Sequence, residues 1–165
     1  MNCFSLIVIA ALATVPAYAA DSAFETTAAR IRQSIERDPG IPMDESLYKD
    51  RLTYGHNVGE SRTEPTKKLL GVIGPEQALI PRFVSNYHLA ITRFIASGDN
   101  AVVTTELSGA FPDGTPLKAK TALFFTIEDG KIVRIETWGD PVAGQKLAEY
   151  MAKDPAVIAS RAKRD

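Results

Sequence analysis

Apolar and polar residues alternate along residues 98–140, and an alternation of period two predicts β-strands. From Leu117 to Ile127 every second side chain lies on the same face. Two Asp-Gly pairs, Asp113-Gly114 and Asp129-Gly130, interrupt the pattern and supply the positive φ angles that tight hairpins need. The pattern therefore predicts an antiparallel meander of three strands, over residues 101–111, 117–127 and 131–138.

A helical period precedes the strands. Apolar residues recur from Phe24 to Ile35 at spacings of three and four, and Ser22 and Glu25 have the spacing of a capping box. Pro39-Gly40 ends this amphipathic helix. We expect its apolar face to pack on the sheet.

Shorter elements fill the rest of the chain. Pro75 suits the first turn of a helix, and Pro81 lacks the amide hydrogen needed to continue that helix, so a kink or stop is expected there. Pro141 opens a C-terminal helix, and Asp154 begins a short helical tail. The other predicted elements are a short helix over 44–52, a strand and polar loop over 52–65, a helical stretch over 66–72 and a strand over 87–96.

Helices followed by a long antiparallel sheet indicate an α+β fold with the helices on one face of the sheet. A sheet that curves around helices tends to leave a cavity between the two layers. With 165 residues, 45% hydrophobic and 24% charged, the chain has the size and composition of one globular domain. The sequence has no internal repeat and no sign of a second domain.

Residues 1–19 are typical of a secretory signal peptide. The apolar run over residues 4–15 is too short to span a bilayer, and Ala17-Tyr18-Ala19 has the small residues of a cleavage site. We therefore expect export to the periplasm or the medium, with a mature chain that begins at Ala20 and has no membrane span. A buried N-terminal helix is the alternative, because no Lys or Arg precedes the apolar run. The single cysteine, Cys3, would leave with the signal.

The formal net charge of −1 gives no electrostatic reason to expect nucleic acid or an anionic membrane as a partner. The two histidines, His56 and His88, are far apart and lack paired carboxylates, so no metal site is predicted. The sequence has no Walker loop, no dinucleotide-binding glycine motif, no nucleophile elbow and no cysteine nucleophile in the mature chain. No cofactor is expected.

Five short motifs occur in order along the chain: Gly74-Pro75-Glu76, Gly98-Asp99-Asn100 with Val102-Val103, Asp113-Gly114-Thr115-Pro116, Glu128-Asp129-Gly130-Lys131-Ile132 and Glu136-Thr137-Trp138-Gly139-Asp140-Pro141. Together they resemble the SnoaL-like group of the nuclear transport factor 2-like superfamily. The resemblance covers roughly residues 52–142, and we assign a SnoaL-like domain to residues 20–153 with a tail over 154–165. It implies a conical α+β fold, in which N-terminal helices pack on a curved, mostly meander sheet around an apolar pocket. It also implies a homodimer.

The resemblance implies more than one activity, since the superfamily includes polyketide cyclases, ketosteroid isomerase, limonene epoxide hydrolase and domains that only bind ligands. Asp140 matches the acid that closes the last strand of limonene epoxide hydrolase. Glu106 and Ser108 are the nearest equivalents of that enzyme's Arg and Asp pair, and Ala122 is near the position of the isomerase's protonated Asp. The motifs therefore specify the fold more closely than the reaction.

Asp140 is the first candidate for an acid or base. A carboxylate at the mouth of an apolar pocket would have a raised pKa, which suits proton abstraction near neutral pH. An Asp before Pro141 is also an ordinary helix N-cap. Tyr54 and His56 are two residues apart in a predicted strand, so both should lie on one face, where they can polarise a carbonyl or move a proton. The alternative for this pair is a polar strand end beside a loop.

Trp138 is the only tryptophan, and it is predicted to line the pocket. In the alternative interpretation it belongs to the core or to a dimer interface, because alternation leaves open which face of its strand points inward. His88, Glu106 and Phe124 complete the predicted ligand-binding set. For His88 the alternative is an ordinary surface or core histidine.

Two functions are open at this point. One is an exported enzyme that carries out cofactor-independent acid/base chemistry, of the isomerase, cyclase or hydratase type, on a small and mostly apolar organic molecule. Asp140 would be its base, and Tyr54 or His56 would polarise the substrate. The other is a non-catalytic module for ligand binding or dimerisation. Convergence of these three side chains in one cavity would favour the enzyme.

Overall fold

The computed structural model describes residues 18–38, 40–57 and 59–155. This part of the chain has three helices: α1 (Tyr18–Arg37), α2 (Thr66–Phe83) and α3 (Pro141–Met151). It has six strands: β1 (Tyr48–His56), β2 (Arg62–Pro65), β3 (Ser85–Ser97), β4 (Asn100–Ala110), β5 (Pro116–Glu128) and β6 (Lys131–Gly139).

All six strands form one sheet in the order β2–β1–β6–β5–β4–β3. The predicted meander is confirmed, because β4, β5 and β6 pair in sequence and antiparallel, and β3 pairs antiparallel with β4. Positive φ angles at Asp129 (51°) and Gly130 (69°) make the tight turn between β5 and β6. β1 joins the meander parallel to β6, and β2 folds back antiparallel on β1. The α+β fold predicted from the sequence is confirmed.

The helices cover one face of the sheet, which we call the inner face. Its centre is the fully buried Phe125 of β5, which pairs with Ala101 of β4 and Ile135 of β6. Apolar residues of α1 and of the first half of α2 pack in the same cluster: Phe24, Ala28, Ile31, Ile35, Leu69, Leu70 and Ile73. A smaller cluster of Val84, Phe111 and Leu117 packs against the apolar side of α3. Two apolar clusters therefore hold the helices on the inner face.

A β-bulge decides which side chains of β6 face inward. The pairing of β5 with β6 shifts register by one residue and leaves Val133 as the extra, bulged residue. Ile132 and Ile135, three positions apart, consequently both lie in the core. Because alternation resumes after the bulge, Thr137 lies on the inner face and Trp138 on the outer face.

The helix predicted over residues 44–52 is wrong. The structure has only a 3₁₀ turn there, at Glu45–Leu47, capped by the Asp44 carboxylate, which accepts from the Ser46 backbone N–H at 3.0 Å. β1 then begins at Tyr48 and buries Leu52 completely. A strand forms here in place of the predicted helix, because pairing with β6 and burial of the inner-facing side chains outweigh the local helical pattern. The structure also adds β2, which lies in the segment interpreted as a polar loop.

α2 is one continuous helix, so the predicted boundary near residue 74 is wrong, and of the kink or stop predicted at Pro81 the stop does not occur. Both Pro75 and Pro81 lie inside it. Each proline removes one backbone hydrogen bond. Leu69 and Ile73 are buried against the sheet, and this tertiary packing stabilises the helix. The local signals of glycine and proline do not include it.

The predicted signal peptide lies outside the described residues, apart from residues 18 and 19 at the start of α1. The predicted tail lies outside them beyond residue 155. Export, the cleavage site and the tail therefore stay predictions. Within the described ranges, no helix is both long enough and apolar enough to cross a membrane.

Candidate functional site

Five polar or aromatic side chains form a band across the inner face, which we call the inner band: Thr105 of β4, Thr121 of β5, Thr137 of β6, and Tyr54 and His56 of β1. The strand register brings them together, because Thr105 pairs with Thr121 and His56 pairs with Thr137. Thr121 and Thr137 are partly exposed and His56 is exposed. The helices therefore do not cover this part of the inner face completely, and His56 reaches solvent at its end.

Tyr54 and His56 are in direct contact. Their ring centroids are 4.8 Å apart and the ring planes meet at 81°, which is an edge-to-face arrangement. Tyr54 is buried, whereas His56 at the end of β1 is exposed. The two side chains share one face of the strand, as their spacing predicts.

The surroundings of His56 favour its neutral form. Partial burial lowers the pKa of the imidazole below its ordinary value of 6.5, and the positive charge of Arg62 acts in the same direction. The Glu76 carboxylate opposes both effects. The imidazole is therefore neutral at pH 7, with one nitrogen free to accept a proton.

The surroundings of Tyr54 keep its hydroxyl protonated. Burial raises the pKa of the phenol, and the charge of Glu76 adds to this, while the Thr137 hydroxyl and the charge of Arg62 act in the opposite direction. A protonated phenol beside a neutral imidazole combines a hydrogen-bond donor with a proton acceptor.

The Thr137 hydroxyl is buried and lacks a hydrogen-bond partner of normal geometry among the described residues. It is close enough to the Tyr54 hydroxyl to lower the pKa of the phenol. By contrast, the hydroxyls of Thr105 and Thr121 bond to each other at 2.5 Å. A buried polar group left unpaired costs about 1–3 kcal/mol. A ligand oxygen at Thr137 would remove this cost.

Three contributors to the site were not identified from the sequence. Arg62 reaches it because β2 pairs with β1 and sets Arg62 opposite Tyr54. Glu76 reaches it from α2, where its charge acts on both Tyr54 and His56. Thr137 was missed because alternation leaves open which face of β6 points inward. Only Thr137 had a usable signal, since its position two residues after the core residue Ile135 implies the same face.

Asp140 caps α3, so the N-cap predicted from the sequence is confirmed. Its Oδ1 accepts hydrogen bonds from the backbone N–H groups of Val142 at 2.9 Å and Ala143 at 3.3 Å. The preceding residue, Gly139, is held by the side-chain amide of Asn57 just after β1, with Nδ2 donating to the Gly139 carbonyl at 3.1 Å. Asp140 therefore lies directly after the end of β6, the strand that contributes Thr137 to the inner band.

The structure does not bring the three predicted catalytic side chains into mutual contact. Tyr54 and His56 touch, but no hydrogen bond, ion pair or ring contact among the described residues joins Asp140 to either. Asp140 lines a groove that is formed mostly by outer-face residues, together with Thr105 and Thr121 of the inner band. A role for Asp140 as a base stays a prediction.

The four predicted ligand-binding residues, His88, Glu106, Phe124 and Trp138, all lie on the outer face. The outer groove has a volume of about 600 Å³, and Glu106 and Trp138 are among its lining residues. Phe124 and Trp138 form an edge contact at 6.1 Å, with 39% and 52% of their surfaces exposed. His88 pairs with the outward-facing Ser108 on the same side of the sheet. The side chains of this set therefore lie on the other face from Tyr54 and His56, and the role of the set in ligand binding stays a prediction.

Among the described residues, no group of three or more His, Cys, Asp or Glu side chains is arranged to hold a metal ion. The polar groups of the inner band are instead hydroxyls, one imidazole and the neighbouring charges of Arg62 and Glu76. Such groups bind and protonate organic molecules directly.

The family model of the SnoaL-like domain matches residues 47–135, which is more than half of the chain. The chain belongs to the SnoaL-like domain family. The resemblance found in the sequence motifs is thereby confirmed. The matched segment includes Tyr54 and His56 and ends just before Thr137. No functionally curated protein is significantly similar to this SnoaL-like chain in sequence.

Solved structures share the fold of this SnoaL-like domain. A candidate SnoaL-like polyketide cyclase from Jannaschia sp. CCS1 is 14% identical, with a TM-score of 0.54 over 75% of this chain and 92% of its own. An NTF2-like protein of unknown function from Burkholderia pseudomallei K96243 is 16% identical, with a TM-score of 0.55 over 76% and 96% of the two chains. An LEH-like epoxide hydrolase from M. tuberculosis is 14% identical, with a TM-score of 0.50 over 78% and 90%. At these identities the likeness shows a common fold alone.

Proposed function

We propose that this SnoaL-like domain binds a small, mostly apolar organic molecule at the inner band and carries out cofactor-independent acid/base chemistry on it. One observation carries the proposal: a neutral His56, a protonated Tyr54 and the unpartnered Thr137 hydroxyl lie side by side on the inner face, where His56 reaches solvent. Leu123, which pairs with Thr137, is the neighbouring apolar residue on the same face.

The reaction that fits these groups is proton transfer next to a carbonyl. The free nitrogen of His56 takes a proton from the carbon beside the carbonyl, and the bonding electrons move to the carbonyl oxygen. Tyr54 donates a hydrogen bond to that oxygen as its negative charge develops, and the Thr137 hydroxyl is a second donor. Return of the proton from His56 to another carbon completes an isomerisation, with no atom gained or lost.

His56 takes the role of base here in place of Asp140, because one oxygen of Asp140 is occupied by two capping hydrogen bonds. Binding without turnover is the second candidate. The lowered pKa of His56 favours it, since a weaker base is a less effective proton acceptor.

The two candidates differ in a proton-exchange experiment. A panel of small apolar ketones is incubated with the protein in D₂O, and loss of the proton beside the carbonyl is followed by NMR. We expect exchange above the buffer rate and a fall of about 10²–10⁴-fold in His56→Gln, with ligand binding retained. The matched control is His88→Gln, which removes the other histidine, on the outer face. Binding without exchange in the parent would leave the second candidate.

We also propose that the outer face binds a second copy of this chain. Ile95, Phe124 and Trp138 expose large apolar surfaces there. Both charge signs are present on the same face, in the Lys120–Glu106 pair at 3.2 Å and the Arg134–Glu136 pair at 2.5 Å, so two copies related by a two-fold axis can set opposite charges against each other. A sheet of four strands, each of roughly ten residues, has a face of about 600 Å², without counting the unevenness that side chains add. That area approaches the approximately 800 Å² per partner of stable interfaces.

Export is the last part of the proposal. Ala17 and Ala19 suit signal peptidase cleavage, so the mature chain should begin at Ala20. Intact-mass measurement of protein recovered from the envelope fraction or the medium tests this. Protein that retains Met1 would contradict it.

A further inference from the structure

Arg62 stands at the edge of the inner band. In the antiparallel pairing of β2 with β1 it lies directly opposite Tyr54, and side chains of directly opposed residues project from the same face of a sheet. β2 is the edge strand, so the guanidinium has access to solvent on one side and to the band on the other. Arg62 is exposed, in keeping with this position.

The guanidinium of Arg62 forms no hydrogen bond or ion pair with any residue in the described ranges. Arg51 of the adjacent strand β1, on the opposite face, by contrast donates to the Thr63 carbonyl at 3.2 Å. The charge of Arg62 nevertheless reaches the inner band, where it acts on both Tyr54 and His56. A planar group with five N–H donors is therefore available beside the proposed site.

We infer that the ligand of the inner band carries a carboxylate, which Arg62 binds through paired N–H···O contacts, and that its apolar body extends across the band toward β6 and β5. This rests on the proposed function, since it concerns the same site. Arginine and carboxylate match in geometry as well as in charge, and such contacts are among the stronger hydrogen bonds in proteins. Arg62 is the residue that selects an organic acid over a neutral analogue.

Arg62 sets the orientation of the bound acid. It lies on the edge strand β2, whereas Glu76 acts on the same two rings from α2. The acid group therefore lies at β2. β2 and β6 are two strand spacings apart, about 10 Å. That distance suits a two-ring molecule with the carboxylate at one end.

The test compares 2-naphthoate with 2-naphthamide, which have the same shape and differ in charge. Isothermal titration is carried out on the parent chain, Arg62→Gln, Arg62→Lys and Arg51→Gln. We expect the parent to bind the acid about tenfold or more tightly than the amide. Arg62→Gln should lose this preference with its amide affinity unchanged, and Arg62→Lys should retain part of it. The control, Arg51→Gln, alters the opposite face at the adjacent strand β1 and should keep the full preference.

Equal affinity of the parent for acid and amide would overturn this inference and leave the proposed function intact, because an apolar ligand would still bind. A preference that survives in Arg62→Gln would also overturn it. Binding of neither compound at millimolar concentration would reject the carboxylate ligand, and the ketone exchange experiment then decides separately whether the inner band is a site at all. Circular dichroism of each variant confirms that the fold is retained.

Discussion

The rings of Tyr54 and His56 meet edge to face on the inner side of the sheet, with their centroids 4.8 Å apart. Strand alternation in β1 sets both rings on one face, and the parallel pairing with β6 brings Thr137 beside His56. A proton donor, a proton acceptor and an unpaired hydroxyl therefore meet in one small region. The same region lies within the reach of two opposite charges, Arg62 and Glu76.

The lowered pKa of His56 predicts how the free energy of unfolding depends on pH. Because the folded state lowers this pKa below 6.5, the unfolded chain binds more protons at lower pH, and the free energy of unfolding should fall as pH drops below about 6.5. The effect is small, because His56 is exposed. Urea unfolding from pH 7.5 to 5 should show a weaker pH dependence in His56→Gln than in the parent. His88→Gln is the control, and equal slopes in His56→Gln and the parent would contradict the assignment.

Thr137→Val and Thr121→Val should have opposite effects on stability. Valine has the shape of threonine without the hydroxyl, so Thr137→Val removes a buried unpaired group and should leave stability unchanged or raise it by up to about 1 kcal/mol. Thr121→Val deprives Thr105 of its partner and should cost about 1–3 kcal/mol. Chemical denaturation measures both. A larger loss in Thr137→Val than in Thr121→Val would show that Thr137 is paired in solution.

Asp140 allows capping and catalysis to be separated. Asn caps a helix about as well as Asp, whereas Ala lacks the acceptor, so Asp140→Ala should cost about 0.5–2 kcal/mol and Asp140→Asn only a few tenths of a kcal/mol. Neither variant can act as a carboxylate base. If His56 is the base, Asp140→Asn should keep the ketone exchange rate. A fall of about 10²-fold or more in a stable Asp140→Asn variant would return the role of base to Asp140.

Trp138 should contribute to assembly more than to the fold of the single chain. Trp138→Ala should raise the dimer dissociation constant by roughly tenfold or more, as expected for an exposed aromatic at the centre of an interface. Light scattering at micromolar concentrations measures this. Fluorescence of this single tryptophan should change on dilution rather than on ligand addition. A parent that is monomeric in light scattering, or an emission change caused only by ligand, would favour the original prediction that Trp138 lines a ligand pocket.

Phe125 is the matched comparison for Trp138, because it is an aromatic residue of the adjacent strand on the opposite face. It is completely buried in the main core. Phe125→Ala should therefore cost about 3–5 kcal/mol in the free energy of unfolding. Thermal unfolding of the two alanine variants at a concentration that favours monomers should separate them clearly. Similar losses would indicate that Trp138 is packed in the core of the single chain.

Local signals in the sequence were enough to predict much of the fold. The Asp129-Gly130 turn has the backbone angles that its residues favour, and Asp140 before Pro141 caps the last helix. The spacing of Tyr54 and His56 sets both on one face, since side-chain direction in a strand depends only on parity. Each of these features is decided by residues a few positions apart, so the sequence alone determines them.

Contacts between distant segments decided the rest. The bulge at Val133 reverses the parity of β6, so that Thr137 faces inward and Trp138 outward, and it forms only because β5 and β6 pair in one particular register. Pairing of β2 with β1 brings Arg62 to Tyr54, and packing against the sheet carries α2 through Pro75. Burial and strand pairing between residues far apart in sequence stabilise these arrangements. Tertiary structure alone therefore determined which side chains meet at the inner band.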